Sequence, residues 1–259
     1  MPPSSRRPPT PHGSERARAS PPARDGAALL PHVSVDCAVF GFHGRELKIL
    51  LVKWKHLGRW SLPGGHVRRD ESIDLAAGRV LRERTGLDRI FLQQFHAFGD
   101  TDRGEHALRG FSAALGLEGT EQEWMVDRVV SIGYLALVDF AEVAPTPDAF
   151  SDECRWWDVR EHPPLLFDHD AMIAQALGTL RARASYLPLG RNLLPEKFTM
   201  PELQRLYEAV LGHPLDRRNF QKRILDLGFV ERLPERKLGG AHRAPYLYRF
   251  LPSSATRRV

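Results

Sequence analysis

Between Gly65 and Leu87 the chain reads GHVRRDESIDLAAGRVLRERTGL, and no other stretch limits its fold so tightly. Trp60-Ser61-Leu62 predicts a short strand running into Pro63-Gly64-Gly65, where proline and glycine punctuate the chain. Glu71 to Thr85 predicts a helix in which Val80 extends an apolar stripe of Ile73, Ala77 and Leu81. Strands surround this unit. Val33, Val35, Cys37 and Val39, followed by Phe40 and Phe42, give a partly alternating strand; His43-Gly44-Arg45 reads as a turn and Leu47 to Val52 as the returning strand. Phe91 to Phe98, Val129 to Phe140 and Arg155 to Val159 read as further strands, and Asp168 to Ala184 as a helix with Met172, Ile173, Ala176, Leu177 and Leu180 on one side. Strands and helices mixed in this way imply an α/β or α+β body.

The body is expected over 32–164, with an inserted loop at 103–127, and a linker helix and connection over 165–197. Residues 198–251 follow a different grammar. Thr199-Met200-Pro201-Glu202 is a capping box with an early proline, whose hydroxyl and carboxylate satisfy unpaired helix-start amides. Leu203, Leu206, Tyr207 and Val210 mark one helical face before Gly212-His213-Pro214 breaks the helix. Asp216 caps a second helix with Phe220, Ile224 and Leu227 inward and Gly228 at its end. Phe229 to Leu233 and Tyr246 to Phe250 read as two strands joined by the basic loop Arg236 to Arg243. Helix, tight turn, helix and hairpin is the outline of a winged helix-turn-helix.

Charge and composition narrow the function classes. The hydrophobic fraction of 42% supports a packed core, which excludes a wholly disordered chain. No apolar run reaches the roughly 20 residues that span a bilayer, and the Arg- and Pro-rich start has no apolar signal region, so a cytoplasmic location is expected. Cys37 and Cys154 alone make neither a disulfide scaffold nor a zinc cluster. Residues 1–31, with eight prolines, read as a disordered tail, and 252–259 as a short second tail. The body carries a local −5 over 32–190, and residues 191–259, with 14 basic and 7 acidic side chains, carry +7. A basic end on an acidic body suits a polyanionic partner.

The Gly65–Leu87 segment resembles the Nudix box: Gly65, Glu71, Arg79, Leu81, Glu83, Gly86 and Leu87 match in register, and Trp60-Ser61-Leu62-Pro63-Gly64-Gly65 is similar to its usual lead-in. The resemblance implies a Nudix α/β/α sandwich with a mixed sheet. Two positions depart from it. Val80 and Arg84 stand where active relatives carry glutamates that hold Mg²⁺, on the helix face shared with Glu83. Mg²⁺ demands oxygen ligands in near-octahedral geometry, so the resemblance carries over fold and ligand binding but neither catalytic nor metal-binding residues, with Glu83 alone left for any residual site. Arg84 is open to two roles, a surrogate cation for a pyrophosphate or a structural ion-pair partner, with Glu83 one such partner. Gly64, Gly65, Glu71, Arg79, Glu83 and Arg84 are the candidate ligand-binding residues. Glu105, Glu118, Glu121 and Glu123 in the insert fit no ligand spacing.

A Nudix-like body followed by a winged helix resembles the Nudix-related transcriptional regulator family, metabolite-sensing bacterial factors that bind operator DNA as dimers. Arg128 to Ser131, Tyr134 to Leu137, Asn192 to Thr199, Leu203 to Ala209 and Asp216 to Phe220 carry that likeness, which runs from about residue 33 to 250 without the insert. It implies a ligand-responsive repressor acting as a homodimer, with no cofactor, and with ADP-ribose, an NAD-related compound or a sugar metabolite as effector. Arg217, Arg218, Asn219, Gln221, Lys222 and Arg223 are the expected readers of bases and phosphates. Lys237, His242 and Arg243 are expected to follow the backbone from the wing. The alternative is a Nudix pyrophosphohydrolase acting on ADP-ribose or another nucleoside diphosphate derivative with Mg²⁺.

Overall fold

The computed structural model describes residues 28–55, 57–88, 90–101, 103, 128–141, 143–184, 188–237 and 244–252. The tails and most of the insert, including Glu105, Glu118, Glu121 and Glu123, lie outside the described residues, as do His242 and Arg243.

Strand β1 (Leu29–His43) is the axis of the body. It pairs antiparallel with β2 (Glu46–Trp54) through Phe40–His43 and with β4 (Gly64–Arg68) through Leu29–Asp36. On its other edge it runs parallel to β6 (Val130–Val138), which carries the antiparallel β5 (Leu92–Phe98) at the sheet margin. β2 likewise shares one edge between β1 and β3 (Trp60–Ser61) and carries β7 (Ser151–Asp158) along the other. The sheet is therefore mixed and splits where one long strand serves two partners. β1 starts three residues before His32, and β7 four residues before Arg155, because backbone pairing continues past the apolar runs.

Alternation along β1 sends its side chains to two cores. Val35, Cys37 and Val39 pack against α1 (Ile73–Thr85). Ala38 and Phe40 pack on the side of α2 (His169–Arg183). This is an α/β/α sandwich. In α1, Ala76, Ala77, Val80 and Leu81 are buried, whereas Ile73 is 38% exposed: the packed face starts one turn later than the expected stripe. No helix among the described residues is long and apolar enough to cross a membrane.

A single-turn helix (Leu189–Asn192) leads into the second unit: β8 (Phe198–Thr199), α3 (Met200–Leu211), α4 (Arg217–Asp226), β9 (Val230–Arg236) and β10 (Tyr246–Phe250). The Thr199–Glu202 capping box is complete and Gly212 closes α3 in the left-handed conformation at φ 82°. Such caps stabilise a helix start by about 1 kcal/mol. The hairpin is a three-stranded sheet in the order β8-β10-β9, because Leu247 and Tyr248 pair with Thr199 and Phe198. Two residues carry no periodicity, so β8 had no sequence signal. The apolar cluster on the α2 face runs from Phe40 and Ile49 through Leu180 and Leu193 to Phe198, Leu206 and Ile224, so body and winged helix share a core. Arg181 Nε on α2 donates to the Val210 carbonyl of α3 at 2.9 Å.

Candidate functional site

The Gly64–Arg68 strand and α1 meet through one arginine. Arg79 Nε donates to Glu71 Oε2 at 2.9 Å, and Nη2 to Glu71 Oε1 at 2.6 Å and to the His66 carbonyl at 2.9 Å. Its Nη1 reaches Glu83 Oε2 at 2.9 Å. Arg68 adds a backbone N–H to Glu71 at 2.8 Å and a guanidinium contact to Glu83 at 3.2 Å. The Arg79 hydrogen bonds hold Glu71 below the usual carboxylate range, and Glu71 in turn raises Arg79. Glu71, Arg79 and Glu83 therefore come together as a clamp between the loop and the helix.

Val80 and Arg84 leave α1 in different directions. Val80 is 2% exposed, and its nearer methyl lies 3.2 Å from where a Cβ on Gly65 would stand. Arg84 Nη1 pairs with Asp148 at 2.6 Å and Nε donates to the Gly64 carbonyl at 3.1 Å. Its guanidinium lies over the rings of Trp54 and Phe150, with centroids at 4.7 and 5.4 Å. Arg84 pairs with Asp148, whereas Glu83 is taken by Arg79 and Arg68. Its Nη2 makes no hydrogen bond among the described residues. These side chains do not fit a divalent cation: Glu71 and Glu83 both accept from arginine, Val80 brings no oxygen, and Arg84 brings positive charge.

Gly64 lies against a buried polar group. A Cβ there would stand 1.8 Å from Asp36 Oδ1. Asp36 accepts from the Ser131 hydroxyl, and its Oδ1 lies 3.4 Å from His169 Nε2. His169 Nδ1 accepts the Leu62 N–H at 2.9 Å, so the ring is the neutral tautomer with its proton toward Asp36. Burial lowers the His169 pKa, in keeping with that form. Arg103 completes the cluster, with Nε donating to Asp168 Oδ2 at 2.7 Å and Nη2 3.7 Å from Asp36.

In the C-terminal unit, Asp216 caps α4 by accepting from the Asn219 N–H at 2.9 Å. Phe220 and Ile224 face the core, leaving Arg217, Arg218, Asn219, Lys222 and Arg223 exposed and Gln221 half-buried. Arg217, Arg218 and Lys222 form no ion pair among the described residues. Lys237, at the base of the wing, pairs with Glu202 at 2.6 Å. Burial pushes Glu202 up, but Lys237 and the Thr199 N–H and hydroxyl outweigh it and keep the carboxyl below its usual range.

The comparison with known proteins follows this two-part geometry. The NUDIX domain model matches residues 30–176, and the model of the NrtR DNA-binding winged helix domain matches 190–250. The ADPR responsive transcriptional repressor NtrR of Acinetobacter baylyi is 31% identical over 227 residues, which cover 85% of this chain and 82% of that protein. The chain belongs to the Nudix-related transcriptional regulator family. The Shewanella oneidensis NrtR of that family, solved in complex with a 27mer DNA, superposes with a TM-score of 0.65 at 27% identity over 85% of this chain and 94% of its own. A MutT/nudix family protein from Enterococcus faecalis shares the fold, with a TM-score of 0.65 at 22% identity, 86% of this chain and 87% of its own being covered.

For a Nudix-related regulator, the residues that sequence spacing did not reach are Trp54, Asp36, Asp148 and Arg68. Asp148 sits 64 residues from its partner Arg84, and Asp36 sits 95 residues from Ser131. Of these, Asp36 alone left a trace in the sequence, as a charged residue at an inward position of an otherwise apolar strand.

Proposed function

We propose that this chain is an ADP-ribose-responsive transcriptional repressor of the Nudix-related family, working in the cytoplasm as a homodimer on a pseudo-palindromic operator. The observation that carries the reading is the colinear match to an ADPR-responsive repressor across both units, in a chain whose box carboxylates are spent on Arg79 and Arg68. The winged helix supplies the reader. Arg217, Arg218 and Asn219 stand in the first turn of α4, and a recognition helix offers its N-terminal residues to base edges. Paired subunits double the site size.

The body supplies the sensor. The effector's phosphates are seated beside Gly64, Gly65 and the Nη2 edge of Arg84, with Glu71, Arg79 and Glu83 holding the loop in shape. A guanidinium suits this task because it pairs with phosphate oxygens through parallel hydrogen bonds. Hydrolysis is not part of the function, since water activation at phosphorus rests on a metal this box cannot hold.

The test is an anisotropy titration of the chain's own upstream region at stated salt, with and without ADP-ribose, paired with calorimetry of ADP-ribose on wild type and Arg84→Glu. The expected results are tighter binding to that region than to random duplex, weaker binding when ADP-ribose is present, and loss of ADP-ribose affinity in the variant. The change that effector makes to DNA affinity must equal the change that DNA makes to effector affinity. Equal affinity for the upstream region and random duplex refutes the repressor, and equal ADP-ribose affinity in both proteins removes Arg84 from the seat.

A further inference from the structure

Body and winged helix enclose a cleft of about 440 Å³ lined on one side by Arg45, Leu47 and Arg160, and on the other by Gln204, Arg205 and Glu208 of α3, with the turn Gly212-His213-Pro214 at one end. Arg45 lies in the tight turn between β1 and β2, and Arg160 directly follows β7. The cleft thus sets guanidinium groups of the sensor against one of the reader.

Its charges are unbalanced. Arg160 is paired with Asp158 at 3.3 Å. Arg45 and Arg205 make no hydrogen bond or ion pair among the described residues; each senses Glu208 only through space. Glu208 is already occupied, accepting the Leu215 N–H and the Gln204 amide, both at 2.9 Å. Those hydrogen bonds, the Leu215 N–H foremost, keep its carboxyl below the usual range. One ionised carboxylate, tied to its own helix and turn, therefore faces the two unpaired arginines, and the cleft keeps net positive charge.

The place of the cleft in the fold says which anion it meets. In helix-turn-helix binding the second helix lies in the major groove while the first crosses the phosphate backbone. Here the second helix is α4, and the first is α3, which carries Arg205. His213 and Pro214, at the mouth of the cleft, precede Arg217 by only a few residues, within about 15 Å of chain. A DNA strand leaving the α4 contact along α3 passes the cleft, where Arg45 extends the basic track onto the body.

We propose that this arginine cleft seats the operator's phosphate backbone, so that the sensor body itself touches DNA through Arg45 while Arg205 contacts the same strand from α3. The proposal rests on the operator-binding reading above and adds a contact surface outside the winged helix. Such contacts fix register without reading sequence. Each neutralised phosphate contributes about 0.9 to the slope of log affinity against log salt.

The experiment compares full-length wild type, Arg45→Ala, Arg205→Ala and the double variant on operator and random duplexes by anisotropy between 50 and 200 mM KCl. Arg82→Ala, on the exposed side of α1, is the control. Thermal melts establish that each variant is folded, and calorimetry with ADP-ribose and with inorganic pyrophosphate reports small-anion binding. The expected result is a slope lower by about 2 in each single variant and about 4 in the double, because a bound homodimer carries two copies of each contact. The wild-type advantage over the double variant then shrinks roughly a hundredfold across that fourfold salt range. Operator and random duplex should lose affinity by the same factor, with the control and ADP-ribose binding unchanged. Wild type binding operator with slopes equal in all proteins overturns the cleft and leaves the repressor standing. Loss of pyrophosphate or ADP-ribose binding without a change of DNA slope overturns it in favour of a small-anion site. Wild type with no operator preference refutes both readings together.

Discussion

Arg79→Ala tests whether the box arginine is a structural clamp. The side chains of Arg79 and Glu71 are 13% and 12% exposed, so the pair is largely out of water. Removing one partner of a buried ion pair costs about 3–5 kcal/mol, because the other charge is left uncompensated. Glu71 would keep the Arg68 N–H at 2.8 Å, which places the loss at the low end, about 3 kcal/mol. With a urea slope of about 3 kcal/mol per molar, the midpoint read from tryptophan fluorescence falls by about 1 M. The loss also depends on pH. Glu71 titrates below its ordinary 4.5 in the folded wild type, so its stabilisation is full above that pH and disappears as pH falls through the lowered value. In the variant, burial without a partner favours the protonated acid, and acid relieves the defect. The gap between the two proteins should therefore narrow as pH falls from 7 to 4. Adding Glu71→Gln to Arg79→Ala should cost little more, since contacting residues are non-additive. A loss below 1 kcal/mol at pH 7, or a gap constant with pH, would refute the clamp.

Gly64→Ala drives a methyl into the Asp36 carboxylate, 1.8 Å from its Oδ1, and should cost about 1–3 kcal/mol by overpacking; a melt within 1 °C of wild type counts against the close approach. Burial lowers both His66 and His169, so the unfolded chain binds more protons below pH 6.5, and melts from pH 7.5 to 5.5 should fall with a limiting slope of about 1.4 kcal/mol per pH unit for each histidine. Arg217→Ala or Arg218→Ala, if the side chain reads a guanine, should weaken operator binding by about 1–3 kcal/mol with relaxed choice at one base pair; equal losses on operator and random duplex would make it a phosphate contact.

The features that sequence made visible are those whose cause is local. Thr199 and Glu202 close their capping box, Asp216 accepts from the Asn219 N–H at the start of α4, and Gly212 takes the left-handed conformation at the end of α3. Each depends on residues three or four apart. The strands that escaped notice are β8, with two residues, and β4, whose Gly64-Gly65 start reads as a turn. Their pairing is decided by β10 and β1, far along the chain.

Arg84 shows the same limit at the site, and it changes the chemistry. Positions 80, 83 and 84 share a helix face by spacing, and in sequence that face looks like one ligand surface with two members replaced. In the fold the surface divides. Gly65, which has no side chain, lets Val80 close onto the loop. Arg84 reaches past it to the Gly64 carbonyl and Asp148 over Trp54. The loop that a metal and its carboxylates would anchor in a hydrolase is anchored here by apolar contact and two arginines. Arg79 serves from one side and Arg84 from the other. Arginine donates five N–H groups in a fixed plane and stays charged at any physiological pH. It can hold a carbonyl and a carboxylate at once and still offer an edge to a phosphate. An anion bound at that edge would compete with Asp148 for the same guanidinium. With the effector seated as proposed above, its binding and the loop position would depend on one side chain, a property that a hydrolase site built around Mg²⁺ does not need and a sensor does.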